Sequence, residues 1–423
     1  MIGSRCRVIR RLGDGRPCAR LVGVTFVTEF DQLPWPVLLR QAREGSRAQA
    51  AQVLASGPRS LSDFALLLSP GASELLESMC RRSQALTRQR FGRVIRLFAP
   101  LYLSNECINN CAYCGFSRDN AILRVTLTVD QVVREAKALY SQGFRSILLV
   151  AGEHPKFVSG AYLRDCVAAL HGWIPSIALE VGPMETDDYR PLVDAGAEGL
   201  VVYQETYDRT AYAQLHTAGP KRDFNYRLAT PERAYAAGFR RLGIAALHGL
   251  ADWRYEAIAT AAHAAFLSRV CWQSMVTLAI PRLRPCAGDF QPLTGLNDRE
   301  MVQLMAAFRL FLPDAGLVLS TREPKSMRDG LLPLGVTHAS AGSHTEPGGY
   351  TGAGRDDLHQ TVRGRRVELE APTATEDSAN RRATGQFEIS DDRSPTEFAK
   401  QIRRLGCEPV WKDWDSALGT VQE

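Results

Sequence analysis

Short apolar runs alternate with longer amphipathic segments between about residues 94 and 340. The runs are Val94–Leu103, Ser146–Val150, Ile177–Val181, Gly199–Tyr203, Leu242–Ala246, Met275–Ile280, Leu317–Ser320 and Gly335–Ala339. Helical periods lie between them. Residues 129–142 carry Val133, Ala136 and Leu139, and residues 253–269 are alanine-rich. In 297–312, Asn297 and Glu300 form a capping pair ahead of the stripe Met301, Leu304, Met305 and Phe308. Eight strands alternating with helices predict an α/β fold, a parallel (β/α)8 barrel of TIM type. The stretch is close to the ~250 residues usual for that barrel. Periodicity alone leaves a partly open or six-strand version possible.

The flanks read differently. Helical character begins near residue 60, and Leu76, Met79, Cys80 and Ala85 share one face of a segment at 71–91. Residues 341–395 are rich in Gly, Arg, Asp, Thr and Ser. The expected order is a disordered basic head at 1–25, a helical region at 26–92 and a barrel at 93–345. A flexible insert at 352–385 follows, then a C-terminal helix and tail at 386–423. The helix of that last part is expected near 395–405.

Composition narrows the class. The chain has 423 residues, 45% of them hydrophobic, enough to bury a large core. Residues 1–20 hold six arginines and one acid, which accounts for the formal net charge of +5. The remainder sums to zero, so no basic nucleic-acid surface is indicated. The absence of an apolar run of about 18 residues argues against a membrane span. Of the ten cysteines, seven are scattered (Cys6, Cys18, Cys80, Cys166, Cys271, Cys286 and Cys407), which is no secreted disulfide framework. A reducing cytoplasm is the expected setting.

The other three cysteines carry the chemistry. Cys107, Cys111 and Cys114 have the spacing C-x3-C-x2-C, directly after the first predicted strand. A closed zinc site or an ordinary ferredoxin cluster uses four ligands. Three thiolates holding a 4Fe–4S cluster leave one iron free to chelate an amino acid. Barrel enzymes place reacting groups at the carboxyl ends of their strands. Gly152 and Glu153 close the second strand, where a glycine admits close approach and a carboxylate can take a cationic amine. An N-cap glutamate is the alternative for Glu153. Glu180 ends the third strand and Glu205 follows the fourth; each is either a ligand for ribose hydroxyls or an amine, or a solvated rim charge. Tyr113 and Phe116 flank an adenine or pack the loop. His154 reads as structural. Arg322 and Ser340, after strands seven and eight, form a candidate carboxylate clamp, with an ion pair to Glu323 or Asp329 as the alternative for the arginine. Arg282 and Arg284 are either a second cationic pair or a loop-pinning salt bridge.

The cysteine spacing, with an aromatic before the last cysteine, resembles the radical S-adenosylmethionine superfamily. The strings Ala99-Pro100-Leu101-Tyr102-Leu103-Ser104-Asn105, Ala151-Gly152-Glu153-His154, Tyr203-Gln204-Glu205-Thr206-Tyr207, Pro281-Arg282-Leu283-Arg284-Pro285-Cys286 and Leu319-Ser320-Thr321-Arg322-Glu323 resemble the 2-iminoacetate synthase family, as does the tail Pro409-Val410-Trp411-Lys412-Asp413-Trp414. The likeness covers roughly 26–351 and 386–419. It implies a 4Fe–4S cluster on Cys107, Cys111 and Cys114, with S-adenosyl-L-methionine on its free iron and Gly152 and Glu153 at the methionyl amine. It further implies a lyase for the thiazole moiety of thiamine, which cleaves L-tyrosine between Cα and Cβ to 2-iminoacetate and p-cresol. Arg322 and Ser340 would hold the tyrosine carboxylate, and Tyr102 would lie near the amine or the radical path, unless it is a barrel packing residue. Thiazole synthase and a flavodoxin or ferredoxin are the implied partners. The competing expectations are a tryptophan lyase, a hydrogenase-maturation tyrosine lyase and a non-catalytic iron–sulfur scaffold.

Overall fold

The computed structural model describes residues 25–362, 365–369 and 382–411. Most of the expected basic head and the tail from Lys412 onward lie outside the described residues. The barrel strands are β1 (Val94–Ser104), β2 (Ser146–Ala151), β3 (Ser176–Glu180), β4 (Gly199–Val201), β5 (Arg241–Ile244), β6 (Met275–Ala279), β7 (Gly316–Leu319) and β8 (His338–Ser340). Each pairs in parallel with the next, and β8 returns to β1 through Arg96↔His338, Leu97↔Ala339 and Phe98↔Ser340. The barrel is therefore closed and eight-stranded, which removes the open and six-strand alternatives.

The first strand is the longest, at 11 residues. Its upper half pairs with β2 and delivers the chain to the cysteine loop. Its lower half accepts a ninth strand, β9 (Glu408–Val410), through Val94↔Glu408 and Arg96↔Val410. Arg96 thus has β8 on one edge and β9 on the other. This late strand is tied in parallel to the base of the barrel, a contact no periodicity announces.

Helices surround the sheet where their apolar stripes predict. Asp298–Phe311 begins at the capping box of Asn297 and Glu300 and buries Met301, Leu304, Met305 and Phe308. The helix Leu76–Phe91 packs against it. Five shorter helices, from Phe26–Asp31 to Pro70–Ser73, complete the N-terminal layer. Among the described residues, no helix is long and apolar enough to cross a membrane.

The expected flexible insert needs correction in its described part. Strand His359–Val362 pairs antiparallel with Arg365–Glu368. His359 is buried, and its Nε2 lies 2.6 Å from Oε1 of Glu106, the residue before the first cysteine. Its backbone exchanges two hydrogen bonds with Arg124. Sequence polarity here serves a contact with the cysteine loop.

Candidate active site

The cysteine loop is built to be rigid. Arg124 is about 1% exposed and donates to the carbonyls of Asn105, Phe116, Ser117 and Asn120, clamping both ends of the loop. Asn105 bonds the far side, donating to Leu123 O and accepting from Val125 N. The pair Asn110–Cys111 forms a short antiparallel bridge with His216–Ala218. All of the loop's bent backbone is thereby held by groups that point away from solvent.

Cys107, Cys111 and Cys114 line one cavity of about 620 Å³ at the carboxyl end of the barrel, with Phe116, Gly152, Glu153, Glu180 and Glu205. The three cysteines share this cavity, and among the described residues no three His, Cys, Asp or Glu side chains converge on a single metal-ion point. Burial pushes the Cys114 thiol up to about 11, against the opposing pull of Lys221, and raises Cys111 further. A buried thiol becomes a thiolate only beside strong positive charge, which bound iron supplies. Two side-chain amides also face the sulfurs: Asn109 Nδ2 is 3.8 Å from Cys107 Sγ, and Gln386 Nε2 is 3.9 Å from Cys114 Sγ. The donor set fits a three-thiolate cluster.

Gly152 fits a close approach. A Cβ there would sit 2.2 Å from the Glu106 carbonyl oxygen. Its neighbour Glu153 faces the cavity and accepts from Asn109 Nδ2 at 2.7 Å. His154 is structural, as expected: its Nδ1 accepts from the backbone of Lys156 and Phe157.

Glu205 has φ 72°, the only positive value at a non-glycine among the described residues. Such a conformation costs about 1–2 kcal/mol and persists only where surroundings impose it. Here Leu247 N binds its carbonyl, while Lys221 Nζ at 2.7 Å and Arg227 at 3.6 Å hold its carboxylate. Both cations lie in the cavity wall, and neither stands out in the sequence. Lys221, ahead of other lesser influences, keeps the Glu205 carboxyl below its ordinary range despite burial. Glu180 is different. Among the described residues no hydrogen bond reaches its carboxylate, and burial, reinforced by Glu205, raises it to about 7.

A second cavity of about 680 Å³ adjoins the first. It is lined by Tyr102, Arg322, Ser340, Ser343 and Phe387. The two share Val150, Glu180, Tyr203 and Gln386 as a common wall. Arg322 forms no ion pair among the described residues. Glu323 is taken by Arg282, and Asp329 by Arg393. The Arg322 guanidinium instead stacks on the Phe387 ring at 3.4 Å. Arg282 resolves into its loop-pinning alternative, bound also to Asp298 at 2.7 Å. Ser340 Oγ accepts from Thr321 N at 3.2 Å. Ser343 Oγ is buried in this wall without a partner.

Tyr113 and Phe116 part company. Phe116 lines the first cavity and meets Tyr102 edge-on, with centroids 5.8 Å apart. Tyr113 turns away: its hydroxyl lies 2.8 Å from His216 Nε2, and it packs with Cys111, Leu215, Leu247 and Leu250. Its role is the loop-packing alternative, so it does not flank a ligand in this cavity.

One wall comes from far along the chain. Residues 384–391 cross the mouth as an extended strap. Thr384 N binds Leu123 O, Gln386 N binds Thr345 O, Glu388 N binds Pro285 O, and Ser390 N binds Thr321 O. Gly115 N donates to Gln386 O, and a Cβ on Gly115 would lie 2.5 Å from that oxygen. The glycine after the last cysteine therefore makes room for the strap. Sequence reading missed Asn109, Lys221, Arg227, Gln386 and Phe387.

Comparison with known proteins agrees with this geometry. Residues 101–262 match the radical SAM superfamily, and residues 279–408 match the Biotin and Thiamin Synthesis associated domain. The chain is 40% identical to a 2-iminoacetate synthase of Escherichia coli over 400 residues, covering 94% of this chain and 99% of that one. A 2-iminoacetate synthase of Salmonella typhimurium is 39% identical over the same shares. Among solved structures, HydG, a maturase of the [FeFe]-hydrogenase, superposes with a TM-score of 0.80 at 28% identity, covering 93% of this chain and 81% of that one.

Proposed function

The chain belongs to the 2-iminoacetate synthase family of the radical S-adenosylmethionine superfamily, and on that premise we propose how its two cavities divide the work of a tyrosine lyase. The enzyme is a carbon–carbon lyase that cleaves L-tyrosine between Cα and Cβ, giving 2-iminoacetate and p-cresol. It uses a 4Fe–4S cluster and S-adenosyl-L-methionine. When bound, that pair supplies the 5′-deoxyadenosyl radical, with methionine as the co-product.

Cys107, Cys111 and Cys114 would hold the cluster at the first cavity. Gly152 admits the cofactor against the backbone, and Glu153, held by Asn109, takes its ammonium. Phe116 offers a face to the adenine. Arg322 and Ser340 grip the tyrosine carboxylate in the second cavity, and the unpartnered Ser343 hydroxyl completes that grip. Tyr102 stands in the second cavity beside Glu180 and Gln386 of the shared wall. The carrying observation is that a half-buried cation without an ion-pair partner among the described residues, Arg322, opens onto a cavity that shares a wall with the three-cysteine cavity.

Thiazole synthase is the partner that consumes the imine, and a flavodoxin or ferredoxin supplies the electron, within the cytoplasm. The test is to reconstitute the protein anaerobically and add tyrosine, S-adenosyl-L-methionine and a reductant. Tyrosine-dependent p-cresol is the expected product. Formation of 5′-deoxyadenosine without any p-cresol would refute the substrate assignment.

A further inference from the structure

Gln386 lies in none of the sequence strings that carry the family likeness, yet it is the only strap side chain that lines both cavities. Its Oε1 accepts from the Tyr102 hydroxyl at 2.8 Å, and its Nε2 points at Cys114 Sγ at 3.9 Å. The backbone on each side is fixed: its N–H binds Thr345 O, and its C=O takes the Gly115 N–H. The close fit at Gly115 leaves the strap no room to ride upward. Tyr102 is itself about 5% exposed and wedged edge-on against Phe116. One carboxamide thus ties a cysteine of the cluster loop to an aromatic of the substrate cavity.

Resting on the tyrosine-lyase reading, we propose that Gln386 is a positioning residue that sets the Tyr102 hydroxyl and donates an N–H···S hydrogen bond to Cys114. The two halves of the amide do different work. The carbonyl end holds the Tyr102 oxygen, which fixes the partition between the cavities. The N–H end places partial positive charge beside a thiolate. A reduced cluster carries one more negative charge than an oxidised one, so such a donor favours reduction; hydrogen bonds to cluster sulfurs are a recognised control of potential. Strap closure and cluster poise are then set by one residue.

The test uses the full-length reconstituted protein and two replacements that lack an N–H donor, Gln386→Leu and the near-isosteric Gln386→Met. Iron content and visible absorbance show which variants hold a cluster. The midpoint potential is then read by EPR-monitored titration without tyrosine. The expected result is a shift to more negative potential in either variant that holds a cluster, with Tyr102→Phe staying at the wild-type value. In turnover, the ratio of 5′-deoxyadenosine to p-cresol should rise at least severalfold in both Gln386 variants and in Tyr102→Phe. A wild-type potential in a cluster-bearing variant overturns the proposal, whatever its turnover. Failure of the wild-type protein to make p-cresol would sink the tyrosine assignment while leaving the potential comparison to decide the role of Gln386.

Discussion

Replacing Arg322 by alanine separates binding from folding. Its guanidinium has no carboxylate to leave behind, because Glu323 and Asp329 belong to Arg282 and Arg393. The folded chain loses the stack on Phe387, about 0.5–1 kcal/mol for a cation over an aromatic face, and a longer-range attraction to Glu180. A bound tyrosine carboxylate loses a charge-assisted hydrogen bond, about 1.5–3 kcal/mol. At about 1.4 kcal/mol per decade this raises the tyrosine KM roughly 10- to 150-fold. The assay is p-cresol release against tyrosine concentration, with 5′-deoxyadenosine followed separately and thermal unfolding as the control. Arg282→Ala is the contrast: it strands Glu323, about 3% exposed, and should cost about 3 kcal/mol of stability. If Arg322→Ala keeps the wild-type tyrosine dependence, or loses stability as Arg282→Ala does, the unpaired-cation argument is wrong.

Other outcomes follow from the same structure. Cys111→Ala should lose the iron–sulfur absorbance and all cleavage of S-adenosyl-L-methionine; retention of both would remove the cluster from this loop. Glu180 is held near 7, above its ordinary 4.5, so folding favours its protonated form; that contribution is full below about pH 4.5 and is lost as pH rises through about 7. Glu180→Gln should therefore be about 2 kcal/mol more stable than wild type at pH 8, after allowance for partial solvent contact, at about 1.4 kcal/mol per pH unit; chemical denaturation across pH 5–8 checks this, and equal stability at pH 8 refutes it. Arg328 and Asp391 are about 1% and 0% exposed, and Arg328 also binds Ser340 O. Arg328→Leu should cost about 3 kcal/mol by uncovering Asp391, even with Arg393 still in contact; an unchanged denaturation midpoint would show that the strap is anchored elsewhere.

The parts legible in the sequence are those whose cause is local. Buried parallel strands leave unbroken apolar runs, and all eight runs overlap a strand. Their ends shift by up to three residues, as at Gly335–Ala339 against the observed His338–Ser340, because the turn before a strand can be as apolar as the strand. The cysteines, Gly152 and Arg322 are visible because chemistry fixes their spacing or their place at a strand end. Lys221, Arg227 and Gln386 are hidden for the opposite reason. Lys221 and Arg227 reach the cavity from the short helices Pro220–Arg222 and Phe224–Leu228, and nothing near Gln386 in sequence shows that a strap crosses four loops. His359 reads as part of a polar insert, since its partner Glu106 lies 253 residues away. Tyr113 shows the reverse error: an aromatic inside a cysteine motif invites a ligand role, while His216 offers it a buried hydrogen-bond partner.

Charge placement in the mouth gives the substrate a direction. Glu205 is paired within the wall with both Lys221 and Arg227, so those three groups together carry one net positive charge in the first cavity. Arg322 and Glu180, the latter charged only as pH rises through about 7, are of opposite sign and unequal position. Arg322 lines only the second cavity, whereas Glu180 lines both. A zwitterionic amino acid in the second cavity minimises its energy with the carboxylate on Arg322 and the amine toward Glu180, which is toward the cluster. Opposite charges that are buried attract far more strongly than exposed ones, so this orientation is enforced where water is scarce. The amine, and not the ring, is then the part of tyrosine nearest the first cavity.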